Sequence, residues 1–166
     1  MIVDGGESFN IYEKKNPSFL IRDLITEVSC PLLVIGKEYL PYKKIVFLYD
    51  GSTTCMYALK LFGYILPFLN NLKMEILSVN PANGSLHIHD NKLFKEFMKR
   101  HHPKADYKVL KGLPEIEIPG YLKKESSNTL VILGAKKRNS ISKLFWQSMT
   151  DNLLRETTLS LFVVSF

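Results

Sequence analysis

The stretch Lys44-Ile45-Val46-Phe47-Leu48-Tyr49-Asp50-Gly51-Ser52-Thr53 decides the fold. A short, nearly continuous apolar run of this kind is typical of a strand that is covered on both faces, as in a parallel sheet. Asp50-Gly51 ends the strand, and the hydroxyls that follow are suitable N-caps for a helix. Apolar residues then recur at helical spacing up to Pro67, which predicts a helix over 53–66. A strand followed by a capped helix is the building unit of α/β proteins.

The same alternation continues to the end of the chain. Further strands are predicted at 73–79, 107–110, 129–133 and 161–164, with helices at 91–101, from Pro114 onward and at 148–158. Pro119-Gly120 breaks or kinks the helix that starts at Pro114, and the sequence leaves both readings open. This spacing predicts a parallel sheet with right-handed crossovers and helices on both faces.

The first forty residues contain a strand-like start, a helix near 18–29 and a strand at Leu32–Ile35, which prompts a search for an internal repeat. A shift of 129 positions aligns residues 1–35 with 130–164 without a gap. Seven positions are identical: Gly5 and Gly134, Asn10 and Asn139, Lys14 and Lys143, Leu24 and Leu153, Glu27 and Glu156, Leu32 and Leu161, Val34 and Val163. We therefore favour a duplication over the chance likeness of two strand-helix-strand units. It divides the chain into a partial repeat at 1–36, a linker at 37–42 and a complete domain at 43–166.

Composition narrows the classes of protein that this chain can belong to. Of the 166 residues, 46% are apolar and 23% are charged, as in a soluble globular protein. No apolar run approaches the roughly 18–20 residues of a membrane helix, and the first residues lack the basic start of a secretory signal. Cys30 and Cys55 form no CxxC motif, so we expect two reduced thiols and a cytoplasmic protein without a membrane partner.

Charge is distributed unevenly along the chain. The net charge is +6, and residues 41–166 carry eighteen Lys or Arg against ten Asp or Glu. An excess of basic residues favours the binding of an anionic ligand. The aromatic residues do not alternate with the basic ones as they do in a stacking platform, so binding to nucleic acid is not expected.

The order of these elements resembles the universal stress protein family. The resemblance rests on the strand before Asp50-Gly51-Ser52, on Leu77-Ser78-Val79 and on Val131-Ile132-Leu133-Gly134 with the later Ser148. It covers 43–165 as a whole domain, similar to the second half of a tandem member, and 1–35 as the tail of a preceding one. The resemblance implies a five-stranded parallel sheet of order 3-2-1-4-5, Rossmann-like and similar to adenine nucleotide alpha hydrolases, and domains that pair through their last strands.

ATP-binding members of that family carry the pattern G-x2-G-x9-G-[ST] after the fourth strand. Glycines allow backbone amides to approach phosphates, and the N-terminus of the next helix favours negative charge. Here Gly134 and Ser148 fit the pattern, but Lys137 and Gln147 replace the other two glycines. The pattern is therefore degenerate.

Two interpretations of this loop stay open. In the first, the pocket is vestigial and the chain is a stress-response module that binds and dimerises without catalysis. In the second, Lys136, Lys137 and Arg138 replace the amide contacts by charge, and the chain binds ATP or AMP. The resemblance then places Asp50 by the ribose, the Val79 backbone near the adenine, and Ser148 and Thr150 at the phosphates.

Other chemistry-bearing residues form no recognised set. His87-Ile88-His89-Asp90 brings two imidazoles together, with His101-His102 one helix away, but no third ligand has a zinc-site spacing, so no metal is expected. No G-x-S-x-G elbow is present, and Cys55 is predicted to pack against the sheet. Phe145 and Trp146 are predicted to cover the core or an interface. We expect no enzymatic activity.

The last strand, at Leu159–Phe166, is apolar and would form an edge of the five-stranded sheet. An exposed apolar edge promotes aggregation unless it is paired. We predict that its duplicate, Pro31–Ile35, pairs with it antiparallel within the chain. Ile2–Asp4 then becomes the new edge, which predicts a homodimer.

Overall fold

In the computed structural model, the described residues are 1–6, 18–36, 41–88, 92–135 and 149–165, and the side chains of Thr26 and Ala135 are excluded. The strands are β1 (Ile2–Asp4), β2 (Leu32–Ile35), β3 (Lys44–Leu48), β4 (Lys73–Asn80), β5 (Asp106–Lys111), β6 (Thr129–Ala135) and β7 (Ser160–Ser165). The helices are α1 (Phe19–Glu27), α2 (Thr53–Ile65), α3 (Lys92–His101), α4 (Pro114–Leu122) and α5 (149–156), with a short 3-10 helix at Pro67–Leu69.

The described strands form one sheet of seven strands in the order β1-β2-β7-β6-β3-β4-β5. The described sheet therefore has seven strands and not the five of the predicted fold class, and its overall order differs. Within 43–166, the order β5-β4-β3-β6-β7 is the predicted order 3-2-1-4-5. The reason is that β1 and β2 extend the sheet beyond β7. Along β5, β4, β3, β6 and β7, every neighbouring pair is parallel.

The N-terminal strands join the sheet through a single antiparallel pair. β2 runs antiparallel to β7, with Leu33 opposite Phe162, and β1 runs parallel to β2. The predicted antiparallel pairing of β2 with the last strand is confirmed. Because β2 covers its outer side, β7 lies inside the sheet, and all six of its residues are buried.

Helices cover both faces of the sheet, and each face has its own apolar core. One core joins α1, α4 and α5 to the sheet, and it includes Ile21, Leu48, Leu77, Ile118 and Leu153. The other joins α2 and α3 to the opposite face, with Phe62 and Phe94 among its members. Alternation of side chains along each buried strand supplies both cores, as expected for strands buried on both faces.

Contacts outside the sheet ladders hold α1 in place. Ser18 caps the helix, and its hydroxyl accepts a hydrogen bond from the Ile21 amide. Arg22 forms an ion pair of 3.0 Å with Asp151 of α5. The Ser165 hydroxyl at the end of β7 lies 3.2 Å from the carbonyl oxygens of Ile25 and Val28. The N-terminal segment is thus bonded to both α5 and β7.

Helix α4 continues through Pro119 to Leu122, so the helix does not end at the proline. It starts at Pro114, where the absence of an N–H is tolerated, and Glu115 and Glu117 in its first turn suit the positive end of the helix dipole. The Pro119 ring is buried. Within the described parts of the chain, no helix has the length and apolar character needed to cross a bilayer.

Candidate functional site

A narrow slot of about 130 Å³ opens at the carboxyl ends of the central strands. Its walls come from β3 and the two residues after it, from β4, from α4 and from α5: Leu48, Tyr49, Asp50, Leu77, Val79, Pro114, Ile118 and Met149. The slot lies where the sheet order reverses, because β3 has β4 on one side and β6 on the other. Ligands of open α/β sheets bind at this point.

Asp50 supplies the one carboxylate among the described residues that line the slot. Its Oδ1 accepts a hydrogen bond of 2.8 Å from the Ser52 amide and a contact of 2.9 Å from the Cys55 thiol. Ser52 in turn caps α2 by accepting from the Cys55 amide. The carboxylate is therefore fixed at the start of α2, while Asp50 itself stays exposed.

The Cys55 thiol is not a nucleophile in this setting. Burial, followed by the charge of Asp50, raises the pKa of Cys55 to about 12. The thiolate, which is the reactive form, is therefore suppressed at neutral pH. Cys55 is fully buried in the core beneath α2, and its predicted packing role is confirmed.

Gly134 lies at the end of β6, where it meets the first turn of α2. A Cβ added there would lie 2.6 Å from the Thr54 carbonyl oxygen and 2.8 Å from the Cys55 amide nitrogen. A side chain at this position would collide with backbone, which cannot rotate away. The close approach of β6 to α2 accounts for this glycine without a ligand.

The structure brings together only some of the predicted site residues. Asp50 and Val79 line the same slot. Thr150 lies in α5 and is 1% exposed. Lys136, Lys137, Arg138 and Ser148 lie outside the described residues, and so do Gln147, Phe145 and Trp146. The phosphate contacts proposed for Lys136, Lys137, Arg138 and Ser148 stay predictions, and so does the covering role of Phe145 and Trp146.

Sequence reasoning missed the apolar wall of the slot. Pro114 and Ile118 come from α4, and Met149 comes from α5. The helices themselves were predicted, but the faces that they turn towards the strand ends depend on how they pack. Helical periodicity gives a buried face without saying which strand end it covers.

The histidines belong to separate environments. His87 is exposed in the loop after β4, and His101 stacks on Phe97 with ring centroids 4.4 Å apart. Burial, with a smaller effect from His101, lowers the pKa of His102. No group of three or more metal-ligand side chains occurs within the part of the chain that the structure describes, and His89 and Asp90 fall outside that part.

These features define a three-layer α/β protein with a small apolar slot and one carboxylate at the switch point of its sheet. No family model and no curated protein matches the sequence. Solved structures do match the fold. A universal stress protein from Archaeoglobus fulgidus DSM 4304 is 12% identical with a TM-score of 0.63, and the match covers 87% of this chain and 52% of that one.

Two further structures extend this comparison. A putative universal stress protein from Pseudomonas aeruginosa UCBPP-PA14 is 15% identical, with a TM-score of 0.61 and coverage of 99% of this chain and 62% of that one. An Arabidopsis thaliana universal stress protein family protein with AMP bound is 12% identical, with a TM-score of 0.51 and coverage of 74% and 91%. The chain spans about half the length of the Archaeoglobus protein. The resemblance to universal stress proteins is confirmed at the level of the fold.

Proposed function

We propose that this chain is a non-enzymatic binding and assembly module of the universal stress protein type, whose slot accepts the base of an adenine nucleotide. The observation that carries the proposal is the slot itself, which joins Asp50 and Val79 to an apolar wall. A volume of about 130 Å³ suits one flat ring system and is well below the roughly 300–1,000 Å³ of drug-sized pockets.

The chemistry of the slot supports a nucleoside. Leu48, Leu77 and Ile118 provide the apolar surface that a purine ring needs on its faces. The exposed Asp50 carboxylate, held at the mouth by its bonds to Ser52 and Cys55, is an acceptor for sugar hydroxyls. AMP is bound in the Arabidopsis structure, whose fold this chain shares.

A comparison of adenosine, AMP and ATP by calorimetry tests the proposal and separates the two interpretations of the phosphate loop. A degenerate loop predicts that the three ligands bind with similar affinity, since the phosphates add nothing. A basic loop predicts tighter binding with each added phosphate and loss of that gain in Lys137→Ala. Absence of binding by all three at millimolar concentration would reject the slot as a nucleoside site.

Two substitutions locate the binding. Val79→Phe fills the slot and should abolish binding, with folding checked by circular dichroism. Asp50→Asn should weaken adenosine binding by roughly tenfold to a hundredfold, because a charge-assisted hydrogen bond contributes about 1.5–3 kcal/mol. The matched control is Asp106→Asn on β5, which removes an exposed carboxylate away from the slot and should leave the affinity unchanged.

The assembly role rests on β1, which has a hydrogen-bonded neighbour on one side only among the described strands. The Met1 carbonyl and the Gly5 amide both bond to β2, so by strand alternation the backbone groups of Ile2 face away from it. Ile2 is 68% exposed. We propose that β1 pairs with β1 of a second copy, because an open apolar edge favours such pairing.

Light scattering after size exclusion tests the dimer. Ile2→Pro removes the outward N–H but leaves the bonds between β1 and β2, so it should shift the protein to monomer. Ile2→Val is the matched control and should stay dimeric. A monomeric unsubstituted chain at micromolar concentration would refute the proposed pairing.

The chain is further proposed to consist of a remnant at 1–36, a linker at 37–42 and a complete domain at 43–166. The shift of 129 residues relates β1 to β6, α1 to α5 and β2 to β7. Both strand pairs, β1 with β2 and β6 with β7, are parallel. This common order supports an origin by duplication.

A further inference from the structure

The end of β4 that lines the slot extends beyond its pairing with β3. That pairing reaches Leu77, and the Tyr49 amide donates one further hydrogen bond to the Leu77 carbonyl. β4 continues to Asn80, and Val79 lines the slot. Among the described strands, these last residues of β4 pair with β5, as far as Asn80 opposite Lys111. The position of Val79 therefore depends on bonds from the β5 side and from the loop that follows β4.

The side chain of Asn80 holds that loop, at 81–88. Asn80 is 7% exposed, and its Nδ2 donates hydrogen bonds of 2.7 Å to the Ser85 carbonyl oxygen and 2.9 Å to the His87 carbonyl oxygen. A Cβ on Gly84 would lie 3.2 Å from the Asn80 Cβ, so the loop folds closely over this residue. Ile88 is 8% exposed and packs into the core, which fixes the far end of the loop.

The main chain of Asn80 holds the start of α4. Its carbonyl oxygen accepts a hydrogen bond of 2.9 Å from the Gly112 amide. Gly112 has a φ of 143°, and a Cβ added there would lie 2.7 Å from the Glu117 Oε1, so only glycine allows the chain to turn here without strain. The turn leads directly into α4, whose first residue, Pro114, lines the slot. One hydrogen bond thus links the end of β4 to a helix that forms a wall of the slot.

We propose that Asn80 is a positioning residue for the slot, and that its three hydrogen bonds set the separation of Val79 from Pro114 that admits the base. Side chains alternate along a strand, so Asn80 points to the face opposite Val79, and it is not among the described residues that line the slot. Asn80 acts through the loop and through Gly112. A slot whose walls are fixed before binding avoids the entropy cost of ordering them. The inference rests on the proposed binding of a nucleoside.

The chemistry of the site favours an amide at position 80. One amide nitrogen carries two protons, and here each proton meets a carbonyl oxygen. A hydroxyl has one proton, and an ionised carboxylate has none and would repel both oxygens. An amide also carries no charge, so its burial costs less than that of an ammonium group.

Calorimetry with adenosine tests the positioning role. Asn80→Asp and Asn80→Leu remove both donors at similar side-chain size, and each should raise the adenosine Kd about three- to tenfold, as expected for a residue that acts through others. Asn80→Ser keeps one donor and should give an intermediate Kd. The matched control is Asn70→Asp, because the Asn70 amide bonds to the Gly63 carbonyl at 3.4 Å near the end of α2, away from the slot. It should leave the Kd unchanged.

The Kd is measured well below the melting temperature of each variant, so a loss of stability alone does not change it. A lower melting temperature with an unchanged Kd in Asn80→Asp and Asn80→Leu would show that Asn80 only stabilises the fold, and would overturn the proposal. So would a Kd raised equally by Asn70→Asp.

Amide NMR shifts without ligand separate this inference from the proposed function. Asn80→Ser and Asn80→Leu should shift the amides of 77–79 and 112–118, with the Gly112 proton moving upfield as its hydrogen bond lengthens, and Asn70→Asp should not. If the unsubstituted chain fails to bind adenosine, the proposed function is rejected, and these shifts still decide whether Asn80 positions the walls of the slot. Shifts confined to 80–88 would overturn the positioning role.

Discussion

The glycine at position 134 has two possible physical explanations, ligand binding and packing against a neighbouring helix. A glycine after a buried strand fits a phosphate-binding pattern, because it lets backbone approach a ligand. Here the backbone of α2 fills the space beside Gly134. A Cβ added to Gly134 would lie 2.6 Å from the Thr54 carbonyl oxygen. Packing within the protein is a sufficient cause for this glycine, so its presence alone does not support a nucleotide site.

Replacement of Gly134 should therefore destabilise the fold whether or not a ligand binds. We expect Gly134→Ala to lower the free energy of unfolding by about 1–3 kcal/mol, as overpacking against backbone does. Urea denaturation measures the effect. Gly120→Ala is the control, because nothing lies within 4 Å of an added Cβ there. It lies in α4 and should be neutral or stabilising by up to ~1 kcal/mol. If Gly134→Ala and Gly120→Ala changed the free energy of unfolding equally, packing against α2 would not explain Gly134.

The two thiols should differ in reactivity. Cys55 is buried with its pKa raised to about 12, whereas Cys30 is partly exposed. In the native protein at pH 8, Ellman's reagent should modify Cys30, and Cys55 should react only after unfolding. Rapid modification of two thiols in the folded protein would contradict the buried position of Cys55, and Cys30→Ser identifies the reacting residue.

The raised pKa of Cys55 determines whether the free energy of unfolding increases or decreases with pH. The folded state holds the Cys55 proton more tightly than the unfolded chain, whose thiol has its ordinary pKa of 9.0. The stability from this group is complete below about pH 9 and decreases as the pH rises towards 12. Cys55→Ala should lose less stability than the unsubstituted chain over this window.

At the scale of elements, a polar cluster joins the start of β3 and β4 to the segment after α4. The Lys44 ammonium lies 3.3 Å from Glu75 and 2.7 Å from Glu125. The Tyr121 hydroxyl donates to Glu75, and burial together with this bond raises the pKa of Tyr121. Because the three charged side chains are at most 22% exposed, this lysine neutralises two carboxylates that solvent screens poorly.

Lys44→Met should destabilise the protein by about 1–3 kcal/mol, since it leaves two partly buried carboxylates without their cation. Lys73→Met is the matched control. Its ion pair with Asp106 joins side chains that are 64% and 58% exposed, so solvent screens the pair and its loss should change stability much less than the loss of Lys44. Thermal or urea unfolding at low salt measures the stability of both variants. A larger loss of stability in Lys73→Met than in Lys44→Met would contradict the argument that the buried cluster contributes more.

At the scale of the whole molecule, the antiparallel pair of β2 and β7 sets the position of the last strand. Without it, β7 would form an apolar edge. With it, β7 has β6 on one side and β2 on the other, and β1 and β5 are the edges among the described strands. Four of the six residues of β5, including Lys108, are exposed at the far edge, where a charged residue discourages further pairing.

Hydrogen exchange should report this arrangement. Amides in β7 should exchange as slowly as those in β3, which also has a strand on both sides, because opening either strand disrupts the core. Amides in β1 should exchange much faster. Mass spectrometry on peptic peptides, or NMR, distinguishes them, and exchange of β7 as rapid as that of β1 would show that β2 does not cover it in solution.

The sequence predicted the elements well because each carries a local signal. Buried strands such as β3 are continuous apolar runs, and Ser52, one of the hydroxyls expected to cap a helix after Asp50-Gly51, caps α2. The pairing of β2 with β7 was also predicted, because an apolar terminal strand requires a partner. The sequence does not decide whether α4 continues past Pro119, since the proline pattern alone does not distinguish a kink from an end.

The sequence by itself determined the alternation of strands and helices, the apolar faces and the position of Asp50 at a strand end. These features depend on periodicity and on turn chemistry within a few residues. Only the tertiary structure decided that α4 and α5 complete the slot and that α2 occupies the space beside Gly134. Each of these depends on contacts between residues far apart in the chain, whose distances local sequence patterns do not fix.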